Sequence, residues 1–327
     1  MNNSVVMVTG GSGFIGSHLV EELLANGNEV HVFDSVPLEM SNNLKEVKNH
    51  KNLKYFVGDI RSQIDIKKFW CDKAKVIFHF ASVVGIKNYI ADPLKLIDII
   101  VIGTRYILEE AARSGTKVVF SSTSEIFGKN PDIPWKEEDD RILGSTSIDR
   151  WSYSSSKAVC EHMLYGMYRV MGLPFTIVRF FNVYGPRQNP YFVVSQTIYK
   201  ILRGEMPLMY DDGTMTRCFT FVEDIVEACI LAADNPNTIC ESFNLGNPFE
   251  TSVKEMISMI LKITGSNLGF EQIDTHKMYG KQYEDITRRV PNVNKARDIL
   301  GWEAKISLLE GLTKTINWAK QNSWYLE

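Results

Sequence analysis

The chain has 327 residues, 44% of them apolar, with a formal net charge of −3. That length can bury a large core and suits a large domain with a smaller one, and the charge leaves no basic surface for nucleic acid or anionic membrane. No apolar run is long enough to span a bilayer, no secretory leader is expected, and five scattered cysteines without paired metal spacing read as reduced thiols of a cytoplasmic protein that needs no metal.

The first element is a β-branched strand, Val5-Val6-Met7-Val8, that runs into Gly10, Gly13 and Gly16, with an amphipathic helix directly after them. Such glycines serve a tight turn, a close approach of backbone to a pyrophosphate, and helix-on-strand packing. The phosphates are expected on free backbone N–H groups at the helix start, around Phe14 and Ile15. Asp34 closes the next strand, Val30-His31-Val32-Phe33, at the distance from the glycines where an acid binds ribose hydroxyls and repels a 2′-phosphate, which points to NAD over NADP.

Residues 40–52 read as loop with some helix, and Leu53-Lys54-Tyr55-Phe56-Val57 as a strand ending in Gly58-Asp59-Ile60. Asp59 and Ile60 are candidates for the adenine edge, although an Asp there could equally cap the following helix. Val76-Ile77-Phe78-His79-Phe80 is a buried strand, with His79 a satisfied core histidine, and Ala81-Ser82 lets backbone pass close under a flat ligand. A helical run over residues 93–114 crosses to the strand Lys117-Val118-Val119-Phe120, which spills into Ser121-Ser122-Thr123-Ser124-Glu125. After an acidic surface loop, Arg150-Trp151 opens a long helix to about Met171, on which Tyr153 and Lys157 share a face. The strand Phe175 to Arg179 follows. Beyond it the elements shorten: helices near 193–203, 223–233 and 253–264, a short strand at 218–222, and a closing amphipathic helix at 306–321. Strands alternating with helices imply an α/β fold with a doubly wound parallel sheet of Rossmann type. The expected division is a nucleotide-binding domain over 1–185 and a smaller, interleaved α/β substrate-binding part over 186–327.

Tyrosine is a poor base at neutral pH, with an ordinary pKa near 10. A lysine ammonium one turn away, together with a cationic nicotinamide, favours the phenolate, which can take a hydroxyl proton while hydride leaves the same carbon. Thr123 is placed to bond the same substrate oxygen.

These motifs together resemble the extended short-chain dehydrogenases/reductases that modify nucleotide-activated sugars: the epimerases, dehydratases and decarboxylases. The resemblance spans nearly the whole chain and includes Arg179-Phe-Phe-Asn-Val-Tyr-Gly-Pro-Arg187, Arg217-Cys-Phe-Thr-Phe-Val-Glu-Asp224 and Arg288-Arg289-Val-Pro. It implies a tightly held NAD that oxidises the sugar at C4 and is restored within one cycle. It also implies Tyr153, Lys157 and Thr123 as catalytic residues, Ser124 and Glu125 beside them, and Asn182, Arg187, Arg217 and Arg289 as substrate contacts. A second phosphate-binding arginine of the family is replaced by Gln282, and an Asp by Cys218. Glu125 is placed to take the C5 proton of a C4-ketone, although a loop carboxylate can also simply bond nearby backbone. The implied reaction is the dehydration of a UDP-linked hexose. UDP-glucuronate decarboxylation, to which Arg289 and the Arg150-Trp151 pair would belong, is the alternative; C4 or C5 epimerisation and a catalytically silent nucleotide-binding protein are further ones. Family members commonly form homodimers through a helix pair, here residues 93–114 and 153–171.

Overall fold

The structure, a computed structural model, describes residues 1–85, 91–280 and 284–327. Its centre is a seven-stranded sheet of β1 (Val5–Thr9), β2 (Glu29–Asp34), β3 (Leu53–Val57), β4 (Val76–His79), β5 (Lys117–Thr123), β6 (Phe175–Phe180) and β7 (Glu241–Leu245). The spatial order is β7-β6-β5-β4-β1-β2-β3, and every neighbouring pair is parallel. The order reverses between β1 and β4, so a crevice opens at their C-terminal ends, where such sheets bind ligands.

Side-chain alternation along the strands explains the two helical layers. Val6, Val8, Val30, Val32 and Phe78 pack with α1 (Phe14–Ala25) and α7 (Val222–Asp234) on one face. Met7, Phe33, Ile77, Val118 and Phe120 pack on the other with α2 (Gln63–Phe69), α4 (Gly103–Ser114) and α5 (Arg150–Met171). Both faces of β1 are therefore buried, which is why it reads as a continuous apolar run rather than an alternating one.

The expected helix over 93–114 is α3 (Pro93–Ile97), a π-helical turn (Asp98–Ile102) and α4 in succession. The expected strand at 218–222 is instead two short pieces. Thr216–Arg217 pairs antiparallel with Thr251–Ser252, Thr220–Phe221 pairs parallel with Val183–Tyr184, and Val222 already begins α7. The C-terminal part has its own core, in which α6 (Val193–Leu202), α8 (Val253–Thr264) and α9 (Leu308–Gln321) bring together Ile198, Met256, Ile260, Leu312 and Ile316. The start of α8 follows from Ser-x-x-Glu: Ser252 and Glu255 form a reciprocal capping box.

Beneath the crevice, a buried ion pair locks β5, β6 and α5 together. Arg179 donates to Glu161 at 2.7 and 3.1 Å, and Ser122 donates to Glu161 at 2.5 Å. Removing one partner of such a pair costs about 3–5 kcal/mol, because the other charge stays buried. No helix among the described residues is long and apolar enough to cross a membrane.

Candidate active site

A cavity of about 960 Å³ opens over the C-terminal ends of β1, β4, β5 and β6 and runs on between the sheet and the C-terminal part. Its floor is the turn from β1 into α1. Gly10 sits there at φ 73°, and a Cβ on it would lie 2.7 Å from the Ala81 nitrogen; one on Gly16 would lie 2.1 Å from the Gly10 carbonyl oxygen. Both positions therefore require glycine. The start of α1 has no side-chain cap and no acid in its first turn, so its positive end is left to a ligand, and Gly13, Phe14, Ile15 and Gly16 form the wall. These features fit a dinucleotide pyrophosphate.

Asp34 stands at the end of β2, accepting the Ser12 and Val36 N–H groups at 2.9 and 3.1 Å. Burial pushes its pKa up against those bonds. Asp59 is held by Arg61 at 2.6 and 3.0 Å, which keeps its carboxyl below the ordinary value. It does not cap α2; the Ser62 side chain does, accepting the Asp65 N–H. Ile60 is buried against Gly103. Asp34, Asp59, Ile60 and Ala81, expected at the cofactor, are not among the residues that line the cavity. His79 is satisfied in the core, 2.7 Å from Thr9 Oγ1 and 3.0 Å from Thr104 Oγ1.

Tyr153, in the first turn of α5, is buried in this wall with the hydroxyls of Thr123 and Ser82 beside its own. Burial, reinforced by the charge of Glu125, drives its pKa above the ordinary phenol value, while those two hydroxyls favour the phenolate. Lys157 lies one turn on, donates to the Ser121 carbonyl at 2.7 Å, and has its pKa drawn down to about 8 by burial.

Three arginines and two carboxylates meet in the cavity wall. Glu125 Oε1 lies 3.2 Å from Arg289 Nη1 and 3.6 Å from Arg150 Nη2. Asp285 Oδ1 lies 3.2 Å from Arg217, 3.7 Å from Arg150 and 3.9 Å from Arg289. Burial works against charge on Glu125, but Arg150 and Arg289 outweigh it and hold its pKa below the ordinary value. Glu125 therefore stays ionised, and its Oε2 is buried without a hydrogen-bond partner among the described residues. Among the described residues the Glu125 side chain meets the guanidiniums of Arg289 and Arg150 rather than nearby backbone, the alternative weighed for it.

Thr123, Ser124, Glu125, Tyr153, Lys157, Asn182, Arg217 and Arg289 all line the one cavity. Asn182 takes a left-handed φ of 39°, and its Oδ1 is buried without a partner among the described residues. Arg187 departs from the expected substrate contact. It leans across α1, donating to both oxygens of Glu21 at 2.8 Å, outside the cavity wall. Gln282 lies outside the described residues. Asp285 was not among the expected site residues, and Arg150 was noted only for its tryptophan neighbour. Asp285 stands four residues before Arg289, a spacing that could have drawn attention to it.

The family model for GDP-mannose 4,6 dehydratase matches residues 7–315. The chain belongs to the GDP-mannose 4,6 dehydratase family. Within the family's reach, the chain is 37% identical to a UDP-N-acetyl-alpha-D-glucosaminuronate decarboxylase of Bacillus cytotoxicus over 96% of this chain and 97% of the relative. It is 32% identical to UDP-glucuronic acid decarboxylase 1 of Xenopus tropicalis, over 97% of this chain and 72% of that one. Among solved structures it is similar to a UDP-glucuronic acid 4-epimerase from Bacillus cereus in complex with UDP-glucuronic acid and NAD. The TM-score is 0.85 at 25% identity, covering 97% of this chain and 99% of that one. A dTDP-glucose 4,6-dehydratase from Bacillus anthracis in complex with NAD gives a TM-score of 0.85 at 26% identity, with 98% of each chain covered. The Rossmann-type fold and the extended short-chain dehydrogenase resemblance are as expected. The activity falls within the nucleotide-sugar dehydratase, decarboxylase and epimerase group.

Proposed function

We propose that this chain decarboxylates a UDP-linked hexuronate, using NAD, and the observation that carries the reading is the pair of buried guanidiniums, Arg150 and Arg289, facing each other across Glu125 in the cavity wall. Two forked cations beside the catalytic tyrosine suit a carboxylate on the sugar far better than a neutral hydroxymethyl group. The printed activities of the Bacillus cytotoxicus and Xenopus tropicalis relatives support the same substrate class.

Gly10, Gly13, Phe14, Ile15 and Gly16 would hold the cofactor's pyrophosphate, and Asp34 a ribose. When bound, NAD accepts hydride from C4 of the sugar and gives it back. Tyr153 takes the C4 hydroxyl proton, with Thr123 aligning that oxygen and the Lys157 ammonium favouring the phenolate. The C5 carboxylate is then β to a ketone, so its bond to C5 can break with the electron pair delocalised onto the C4 oxygen. Arg150 and Arg289 orient the carboxylate for that cleavage. The arriving carboxylate raises the proton affinity of Glu125, whose open Oε2 takes up one proton from solvent and passes it to C5 as carbon dioxide leaves. Tyr153 finally returns its proton to the C4 oxygen. Arg217 and Asn182 would hold the diphosphate. A homodimer and a cytoplasmic setting belong to this reading: Leu94, Ile97 and Val159 are exposed on α3 and α5, and all five cysteines are free thiols.

A dehydratase reading draws on one observation, since an ionised Glu125 with a free oxygen is also a competent C5 base. Mass spectrometry of products from UDP-glucuronate, UDP-N-acetylglucosaminuronate and UDP-glucose separates the two. Carbon dioxide lost from a hexuronate is the expected result. Water lost from the neutral hexose alone would replace this reading with the dehydratase.

A further inference from the structure

Arg187 lies outside the cavity, yet the turn it belongs to leads straight into the cavity wall. The Gln188 N–H closes that turn on the Gly185 carbonyl at 3.3 Å, with Pro186 in second place and Arg187 in third. A turn with proline second and a left-handed residue third ordinarily has glycine there. Arg187 takes the place at φ 70°, a conformation that a side chain disfavours, so the turn needs support from elsewhere. Glu21 on α1 accepts the Arg187 guanidinium at 2.8 Å, and His18 Nε2 on the same helix donates to the Pro186 carbonyl at 3.0 Å. On the other side the Tyr325 hydroxyl donates to the Gln188 carbonyl at 2.8 Å, across 137 residues of chain. The carbonyls that flank Arg187 are thus held from two directions, by α1 and by the turn Ser323–Tyr325 that follows α9.

The turn sends Arg187 toward α1 and delivers Gln188, Asn189, Tyr191 and Phe192 to the cavity wall, after which α6 begins. A second hydroxyl fixes the same stretch, since Ser195 Oγ donates to the Asn189 and Phe192 carbonyls at 2.7 and 3.0 Å. Tyr325 is itself buried, with ring centroids 4.9 Å from Trp318 on α9 and 6.2 Å from Tyr199 on α6.

We propose that Tyr325 is a positioning residue for the substrate: by holding the Gln188 carbonyl it sets the wall from Gln188 to Phe192 against which the nucleotide end of the substrate rests. The proposal rests on the reading above that a UDP-linked sugar lies in this cavity. The wall runs on through Val194 and Gln196 of α6 to Leu208, Phe219 and Arg217, all on the side away from the sheet that carries Thr123. Tyr325 reaches the substrate only through this backbone. Removing its hydroxyl leaves the ring in its packing and unfastens the wall. An unfastened wall weakens ground state and transition state alike, so the loss falls on affinity and not on turnover.

Tyr325→Phe tests this split. On the nucleotide sugar that the unaltered enzyme turns over, KM is expected to rise about threefold to tenfold, as for one lost buried hydrogen bond, with kcat within about twofold. Calorimetry with UDP alone should show its affinity falling by a similar factor. A merely structural tyrosine would lower the melting temperature and leave KM and UDP affinity where they were, and that result overturns the proposal. So does a fall in kcat with KM unchanged. Should Tyr325→Phe fail to fold, Ser195→Ala, which unfastens the same wall from α6, is expected to shift KM and UDP affinity the same way, and no shift in it overturns the proposal equally. If the unaltered enzyme binds UDP but releases no carbon dioxide from any hexuronate, the functional reading fails while UDP affinity still decides the role of Tyr325. An unaltered enzyme that does not bind UDP overturns both.

Discussion

At the scale of single residues, the proposed chemistry depends on two buried groups whose charges are both unfavourable in isolation. Burial lifts the Tyr153 pKa and lowers that of Lys157 to about 8, so each needs the other. The ammonium is present below that pH and is lost as pH rises through it. The expected outcome is a kcat/KM that declines above about pH 8, with a limb that moves up in Lys157→Arg, because a guanidinium keeps its charge there. A limb that stays where it was in Lys157→Arg would assign it to another group. The Tyr153–Lys157 pair was legible because one helical turn fixes their common face whatever else the fold does. The Asp285 cluster was not, since its members lie 68 residues apart between Arg217 and Asp285 and 135 between Arg150 and Asp285, and only the fold makes them neighbours. Arg187 shows the opposite case. Its motif placed it near a ligand, but Glu21 on α1 offers it a bidentate partner first.

Among elements, β4 carries a polar side chain through the middle of the sheet. His79 is 1% exposed between Thr9 and Thr104, and burial, followed by the charge of Lys157, brings its pKa down to about 3. The folded chain thus holds it neutral, while the unfolded chain protonates it below its ordinary value of about 6.5. Stability from this group is complete above pH 6.5 and is lost as pH falls toward 3, by on the order of 4 kcal/mol across the interval. Chemical denaturation of His79→Asn at several pH values should show a shallower acid slope than the unaltered chain; an equal slope would place the acid sensitivity elsewhere. The strands were readable because parallel, doubly covered strands carry near-continuous apolar runs rich in β-branched residues, as β1 does. The pieces around Thr216–Phe221 were less so, since two-residue strands carry no period to read and owe their pairing to contacts with Thr251–Ser252 and Val183–Tyr184.

For the whole molecule, one of the charged contacts that fasten the C-terminal part to the rest of the chain, Arg187 to Glu21, is bidentate and partly buried. Arg187→Ala is expected to lower Tm by about 2–4 °C, corresponding to about 1 kcal/mol, with a smaller effect on KM. A KM raised tenfold at unchanged Tm would return Arg187 to the substrate. The late arrival of β7 has a further consequence for how the chain is made. The strand that covers the edge of β6 ends at residue 245, about three quarters of the way along the chain. Until that point leaves the ribosome, β6 presents an unpaired row of N–H and C=O groups to any other nascent copy. The glycine turn and the Tyr153 helix are synthesised early, yet the sheet they stand on closes only late, so the growing chain must keep one strand edge vacant for a partner still to be translated.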